Sequence, residues 1–188
     1  MAGGGETDGF RHRQQQRKMK PRLHRREPLS EEEANRLANA CETAEEKLVI
    51  WTLLDTGLRV AEFCSVHRNM VDWQSHALRI VGKGAKPRVV PLSTRTQALF
   101  EHYLAQNDQI FMGIRKVQRI VKKVAVRAGI MRKTSPHVLR HPFAVSSLRK
   151  GIGSPFVQKV LGHERLATTE IYLNVSGADV LAQYREKW

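Results

Sequence analysis

From Pro28 onward the chain sets short apolar stripes between cap and turn residues, mostly at helical spacing. Ser30 followed by Glu33 predicts a capping box, and Ala34, Leu37, Ala38 and Cys41 share one face of the helix it opens. Thr43 and Glu46 repeat that signature ahead of KLVIWTLLDTG, whose near-continuous apolar character predicts a buried helix stopped by Gly57. The pattern then changes. ALRIVG and PRVVPL flank KGAK and predict the two strands of a hairpin, with Gly82 and Gly84 permitting the turn and Pro87 opening the second strand.

Helical spacing returns at Ser93, which predicts a cap for STRTQALFEHYLAQ. In IRKVQRIVKKVAVRAG, Val117, Ile120, Val121 and Val124 face inward, while Arg115, Lys116, Arg119, Lys122 and Lys123 lie on or beside the opposite face. Ser135 as cap and Pro136 at the first helical position open HVLRHPFAVSSLRKG, closed by Gly151. Pro142 removes an N–H beyond the first turn of that helix and predicts a kink. Ser154 and Pro155 start a short helix ending at Gly162, and TTEIYLN predicts another. SGADVLAQYREKW can form a last amphipathic helix on Val180, Leu181 and Tyr184. The fold class expected is mainly α with a small antiparallel β-hairpin or sheet, α+β.

Residues 1–27 break this pattern. MAGGGETDG is followed by RHRQQQRKMKPRLHRR, too basic and too poor in apolar residues to bury a core, which predicts a solvated tail or linker ahead of one folded domain over 28–188. Across the 188 residues, 32 Lys and Arg against 18 Asp and Glu give a formal net charge of +14 and point to a polyanionic partner, nucleic acid first. No apolar stretch reaches the roughly 18–20 residues of a spanning helix and no signal-peptide core is visible, so no membrane partner and a cytoplasmic, nucleoid-associated location are expected. Aromatic residues make up 6% of the chain and mostly read as core, which disfavours single-stranded RNA readout by stacking. Cys41 and Cys64 lack metal-ligand spacing and read as reduced thiols, and the histidines form no two-His-plus-carboxylate pattern, so no metal is expected.

Several residues carry chemistry. Arg59 falls just past a predicted helix end with Glu62 three residues on, Lys83 at the hairpin tip, and His137 and Arg140 three apart at a helix N-terminus, where free N–H groups favour an anion. His163 follows Gly162, and Tyr172 stands on the next predicted helix. A tyrosine with fixed cations and imidazoles suits attack on a phosphodiester and stabilisation of the charge that develops. Taken singly, each also has an ordinary structural reading: a paired buried arginine, a solubilising tip lysine, a half-buried tyrosine. The cations of the IRKVQRIVKKVAVRAG helix read either as a solvated face or as a stripe along a DNA backbone.

The stretches TGLRVAE, VGKGAKPRVVPL, HVLRHPFA and LGHERLATTEIY, in this order and spacing, resemble the catalytic domain of the tyrosine recombinases, the phage integrase and Xer-type family, over residues 28–188. That resemblance implies the family's mixed catalytic fold. It also implies Arg59 and Arg140 as a phosphate clamp, Lys83 as general acid, His137 in acid–base work, His163 in a phosphate hydrogen bond, Tyr172 as nucleophile and Glu62 in support. Tyr172 would join the DNA 3′ phosphate and release a 5′ hydroxyl, whose later attack rejoins DNA with no cofactor, metal or ATP. At a phenol pKa of about 10, ionising the tyrosine at neutral pH costs roughly 4 kcal/mol, which nearby cations and a base can offset. The implied partners are double-stranded DNA and other recombinase protomers in a synaptic complex.

Two departures stand out. The family usually reads LRHTFA where this chain has LRHPFA, and nothing before Pro28 resembles the N-terminal helical domain that completes the family's DNA clamp. Two alternatives share the same residues: cleavage and resealing of one strand, as in a type IB topoisomerase, and a DNA-binding protein of the same fold without turnover.

Overall fold

The computed structural model describes residues 28–81 and 87–162. The predicted tail over 1–27, the hairpin tip with Lys83, and everything from His163 on, including Tyr172 and the predicted terminal helix, lie outside the described residues.

The capping box forms as the sequence implies. The Ser30 amide donates to Glu33 Oε2 at 2.8 Å and the Glu33 amide to Ser30 Oγ at 3.1 Å, opening α1 (Glu31–Asn39). Its Ala34, Leu37 and Ala38, with Cys41 just beyond, are buried. Helix α2 (Ala44–Thr56) is apolar nearly all round because it is the central helix, packed against α1 and three later helices. Its cap is only half of the predicted box: Thr43 Oγ accepts from the Glu46 amide, but the Glu46 carboxylate accepts instead from the Glu42 amide at 2.9 Å. One short turn, α3 (Val60–Cys64), follows Gly57.

The predicted hairpin is part of a three-stranded antiparallel sheet in the order β1 (Val71–Asp72), β2 (Ala77–Val81), β3 (Pro87–Pro91). β1 pairs only two residues with β2, through Val71 opposite Leu78 and Asp72 opposite Ala77, too short to leave a period-two signal in the sequence. Leu78 faces Val90 and Ile80 faces Arg88 across β2 and β3, so the inward positions of β3 are Arg88 and Val90.

Ser93 caps α4 (Thr94–Leu104), accepting from the Thr96 amide. Helix α5 (Ile114–Arg127) buries Val117, Ile120, Val121 and Val124, the stripe read from the sequence. Helix α6 (Pro136–Arg149) continues through Pro142, which is buried. Ser135 precedes it as expected, but its Oγ makes no capping bond and is buried without a partner. Helix α7 (Ser154–Leu161) ends on Gly162 in the left-handed conformation, with φ of 62°. α2 touches α4, α5 and α6, while α7 packs on α6 and β3, which brings the end of α7, the start of α3 and the inner face of β3 to one place. Cys41 is buried and Cys64 half-buried, both as free thiols. Among the described residues no helix is long and apolar enough to cross a membrane.

Candidate active site

The site is built outward from Gly57. It ends α2 with φ of 61°, and an added Cβ would stand 2.7 Å from Phe143 Cδ1 and 2.8 Å from Leu161 Cδ2. Glycine therefore serves twice here, supplying the left-handed turn and letting α6 and α7 close over the helix end. The chain leaves this turn toward Arg59, which precedes the first residue of α3.

Glu62, one turn into α3, holds Arg59 from two sides. Its Oε2 accepts from the Arg59 amide at 2.7 Å, and its Oε1 from Arg59 Nη1 at 2.9 Å. Arg59 Nη2 also donates to the Gly162 carbonyl at 3.2 Å, and the side chain stays 37% exposed. The costly buried guanidinium expected from sequence is thus both paired and partly open to solvent.

Arg140 reaches the same place from α6. Its guanidinium donates to the carbonyls of Gly57 and Leu161, and the residue is 3% exposed. His137, three residues earlier, is exposed. The spacing alone would put both at one anion-binding helix end; instead Arg140 extends inward to the helix termini of α2 and α7, and the two residues differ in access to solvent. Arg59 and Arg140 are brought together, each on one of two adjacent carbonyls at the end of α7. Lys83, His163 and Tyr172 lie outside the described residues, although His163 directly follows Gly162 in the chain.

Sequence reasoning missed Arg88. On β3 its Nη1 and Nη2 donate to Glu62 Oε1 and Oε2 at 2.9 and 2.8 Å, and its Nε donates to the Val160 carbonyl at 2.7 Å. A signal was present: Arg88 occupies the inward register of PRVVP with Val90, where a charge must have a partner. Glu62 serves both arginines. Burial pushes its carboxyl up, but the hydrogen bonds from Arg88 and from the amide and guanidinium of Arg59 outweigh this and hold it at about 2. It is a carboxylate throughout the neutral range.

The arrangement can therefore offer a dianionic or crowded oxyanion ligand a guanidinium whose orientation is already set, beside a second one fixed by backbone. A cavity of about 870 Å³ opens elsewhere, between α1, α6 and the α2–α4 junction, lined by Leu29, Asp55, Arg95, His141 and Arg149 among others; Arg59, Arg88 and Arg140 do not border it. Burial lowers the pKa of His141 there.

The α5 cations divide. Lys116 pairs with Glu45, and Lys123 with Glu46 at 3.2 Å, so both are tied to the start of α2. Among the described residues Arg115, Arg119 and Lys122 take no acidic partner and line one shallow depression with Gln118.

Comparison with known proteins identifies relatives of this chain. The chain is 34% identical over 175 residues to the tyrosine recombinase XerA of Saccharolobus solfataricus, covering 87% of this chain and 58% of that protein. It is 35% identical to the tyrosine recombinase XerD of Shewanella oneidensis, covering 84% and 61%. The chain thus spans about three fifths of the length of these curated relatives. A crystal structure of XerA recombinase superposes with a TM-score of 0.72 at 31% identity, covering 85% of this chain and 65% of that one. The XerH recombinase in a post-cleavage complex with its difH substrate shares the fold at a TM-score of 0.71 and 23% identity, over 84% of this chain and 52% of that one. The model of the phage integrase family matches residues 27–178, and the chain belongs to that family.

Proposed function

We propose that this chain is the catalytic part of a site-specific DNA recombinase, which cuts and rejoins double-stranded DNA through a covalent link between Tyr172 and a 3′ phosphate. The observation that carries this reading is the convergence of Arg59 and Arg140 on adjacent carbonyls at the end of α7, with Glu62 fixing the first of them. Two planar donors set before substrate arrives suit a phosphorus centre that gathers charge as it becomes five-coordinate. Arg59, the more exposed, would take the phosphate oxygens directly, and Arg140 would add its positive charge from beneath.

In this scheme the Tyr172 oxygen bonds to phosphorus, the bond to the 5′ oxygen breaks, and Lys83 gives that oxygen a proton. His137 takes up the phenolic proton of Tyr172 as it attacks, and His163 donates to a phosphate oxygen. Reversal by another 5′ hydroxyl reforms the diester, so neither metal, ATP nor other cofactor enters. Arg115, Arg119 and Lys122 supply backbone contacts to the DNA, with Lys116 and Lys123 contributing less because they are engaged by Glu45 and Glu46. Exchange between two duplexes brings in further protomers, in the cytoplasm at the nucleoid.

The test is a nicked duplex drawn from a random-sequence pool, whose short 5′ fragment diffuses away after cleavage and traps the adduct. Wild-type protein should yield a protein–DNA adduct on a denaturing gel, and Tyr172→Phe none. An adduct that persists in the Phe variant overturns Tyr172 as nucleophile, and salt-sensitive binding with no adduct from either protein overturns cleavage by this chain.

A further inference from the structure

Val160, Leu161 and Gly162 present three consecutive carbonyls at the end of α7, and each receives a different arginine: Arg88, Arg140 and Arg59. The proposed function gives Arg59 and Arg140 to the phosphate. It gives Arg88 nothing, although Arg88 is committed at all three guanidinium nitrogens: a fork onto both oxygens of Glu62 and an Nε bond to Val160.

The coupling runs through one atom. Glu62 Oε1 accepts from Arg88 Nη1 and from Arg59 Nη1, each at 2.9 Å, so a displaced Arg88 shifts the acceptor that aims Arg59. The fit around Arg88 is close on its other side as well. A Cβ on Gly162 would meet its Nη1 at 3.2 Å and its Cζ at 3.3 Å. The Arg88 side chain is only 7% exposed, and a buried ion pair is a poor way merely to join β3 to α3, since apolar side chains of like volume do that as well or better. An apolar side chain could not orient a carboxylate. Lysine could not either, because a single ammonium cannot reproduce a two-pronged fork together with a third bond from Nε.

We propose that Arg88 is a positioning residue for strand cleavage: through Glu62 it aims the Arg59 guanidinium, and through Val160 it fixes the end of α7, so that the two are presented to the phosphate as one unit. This rests on the cleavage reading above. Arg88 touches no reacting atom in this scheme, and its removal acts on rate through Arg59.

The experiment compares the full chain as wild type, Arg88→Lys and Arg88→Met, with Arg79→Ala as a control on the exposed side of the sheet, where it pairs with Asp72. On the trapped-adduct substrate at saturating DNA, Arg88→Lys should slow adduct formation about tenfold or more. DNA affinity should stay within about twofold, since no phosphate contact is lost. Adding Arg88→Lys to an Arg59→Lys protein should slow it less than about twofold further, because the pathway through Arg59 is already broken. Wild-type rates in Arg88→Lys, or full additivity with Arg59→Lys, overturn the proposal. Hydrogen exchange decides it independently of catalysis: Arg88→Lys should expose the amides of Arg59 and Gly162 to faster exchange while α4 and α5 keep their protection, and unchanged exchange at both overturns it. If wild type forms no adduct, the cleavage reading falls and the exchange result alone decides whether Arg88 fixes these two segments.

Discussion

Arg59, Arg88 and Arg140 at the end of α7 and the basic residues of α5 are both concentrations of positive charge, yet the protein holds them by opposite means. At the first, every guanidinium is anchored on backbone carbonyls, and two share the carboxylate of Glu62. On α5, Lys116 and Lys123 make single contacts with glutamates at the start of α2, and Arg115, Arg119 and Lys122 project without acidic partners among the described residues. The difference follows from burial and partners. The side chains of Arg88 and Arg140 are buried and must be hydrogen-bonded, which fixes their direction. Arg59, though partly exposed, takes its direction from the buried Glu62, whereas the α5 cations are stabilised by water and keep more freedom. Direction suits a reacting phosphate, and freedom suits a sugar–phosphate backbone that presents charge along its whole length.

The sharpest way to break this contrast is to remove the acid that serves two arginines. Glu62→Gln should cost about 3 kcal/mol of stability, because two guanidinium groups lose their countercharge in a mostly buried place, and urea unfolding measures it. The same residue predicts a pH dependence. Its folded pKa of about 2 lies below the ordinary 4.5, so its contribution is complete above about pH 4.5 and is lost as the pH falls toward 2. Glu62→Gln should flatten that acid limb. Glu46 is also held at about 2, through Arg127 first and then the Glu42 amide and Lys123. Lys123 is 65% exposed and Arg127 24%, so added salt should erode the Lys123 share of the limb due to Glu46 more than the Arg127 share.

Gly57→Ala comes next, at about 2 kcal/mol. The left-handed φ of 61° strains any L side chain, and the new methyl would press on Phe143 and Leu161. Since Gly57 also gives its carbonyl to Arg140, thermal unfolding should fall together with adduct formation. A variant that melts early but cleaves at the wild-type rate would separate Gly57 from the arginine cluster.

What the sequence made legible follows the range of each interaction. The Ser30–Glu33 box, the β2–β3 hairpin, the α5 stripe and the Arg59–Glu62 pair all join residues a few positions apart or obey one period, so cap chemistry and spacing suffice to find them. Arg88 is different. Its meaning depends on Glu62 and Val160, 26 and 72 positions away, and no local rule reports those partners. Likewise, Glu46 reads locally as half of a capping box, but the folded chain gives its carboxylate to Arg127, 81 positions on. The α5 cations looked equivalent in sequence for the same reason: Glu45 stands 71 positions from Lys116, and only packing of α2 on α5 brings them together.

The smallest expected effects test that division of α5. Arg115→Ala, Arg119→Ala and Lys122→Ala remove exposed charges with no acidic partner among the described residues, and each should leave stability within about 0.5 kcal/mol. If each meets one phosphate, each should also lower the slope of log affinity against log salt by about 1, alike on any DNA sequence. Lys116→Ala and Lys123→Ala remove cations whose charge Glu45 and Glu46 already offset. For these a DNA phosphate must compete with a carboxylate at close range, so the change in slope should be well below about 1. Glu45→Gln sharpens the point, because it frees Lys116 without adding a cation. Affinity at low salt should then rise, and the slope should steepen toward that of a chain with one more phosphate contact. Equal slopes for all five alanine variants would mean that DNA strips these surface pairs at no cost, and the two groups of α5 cations would be one.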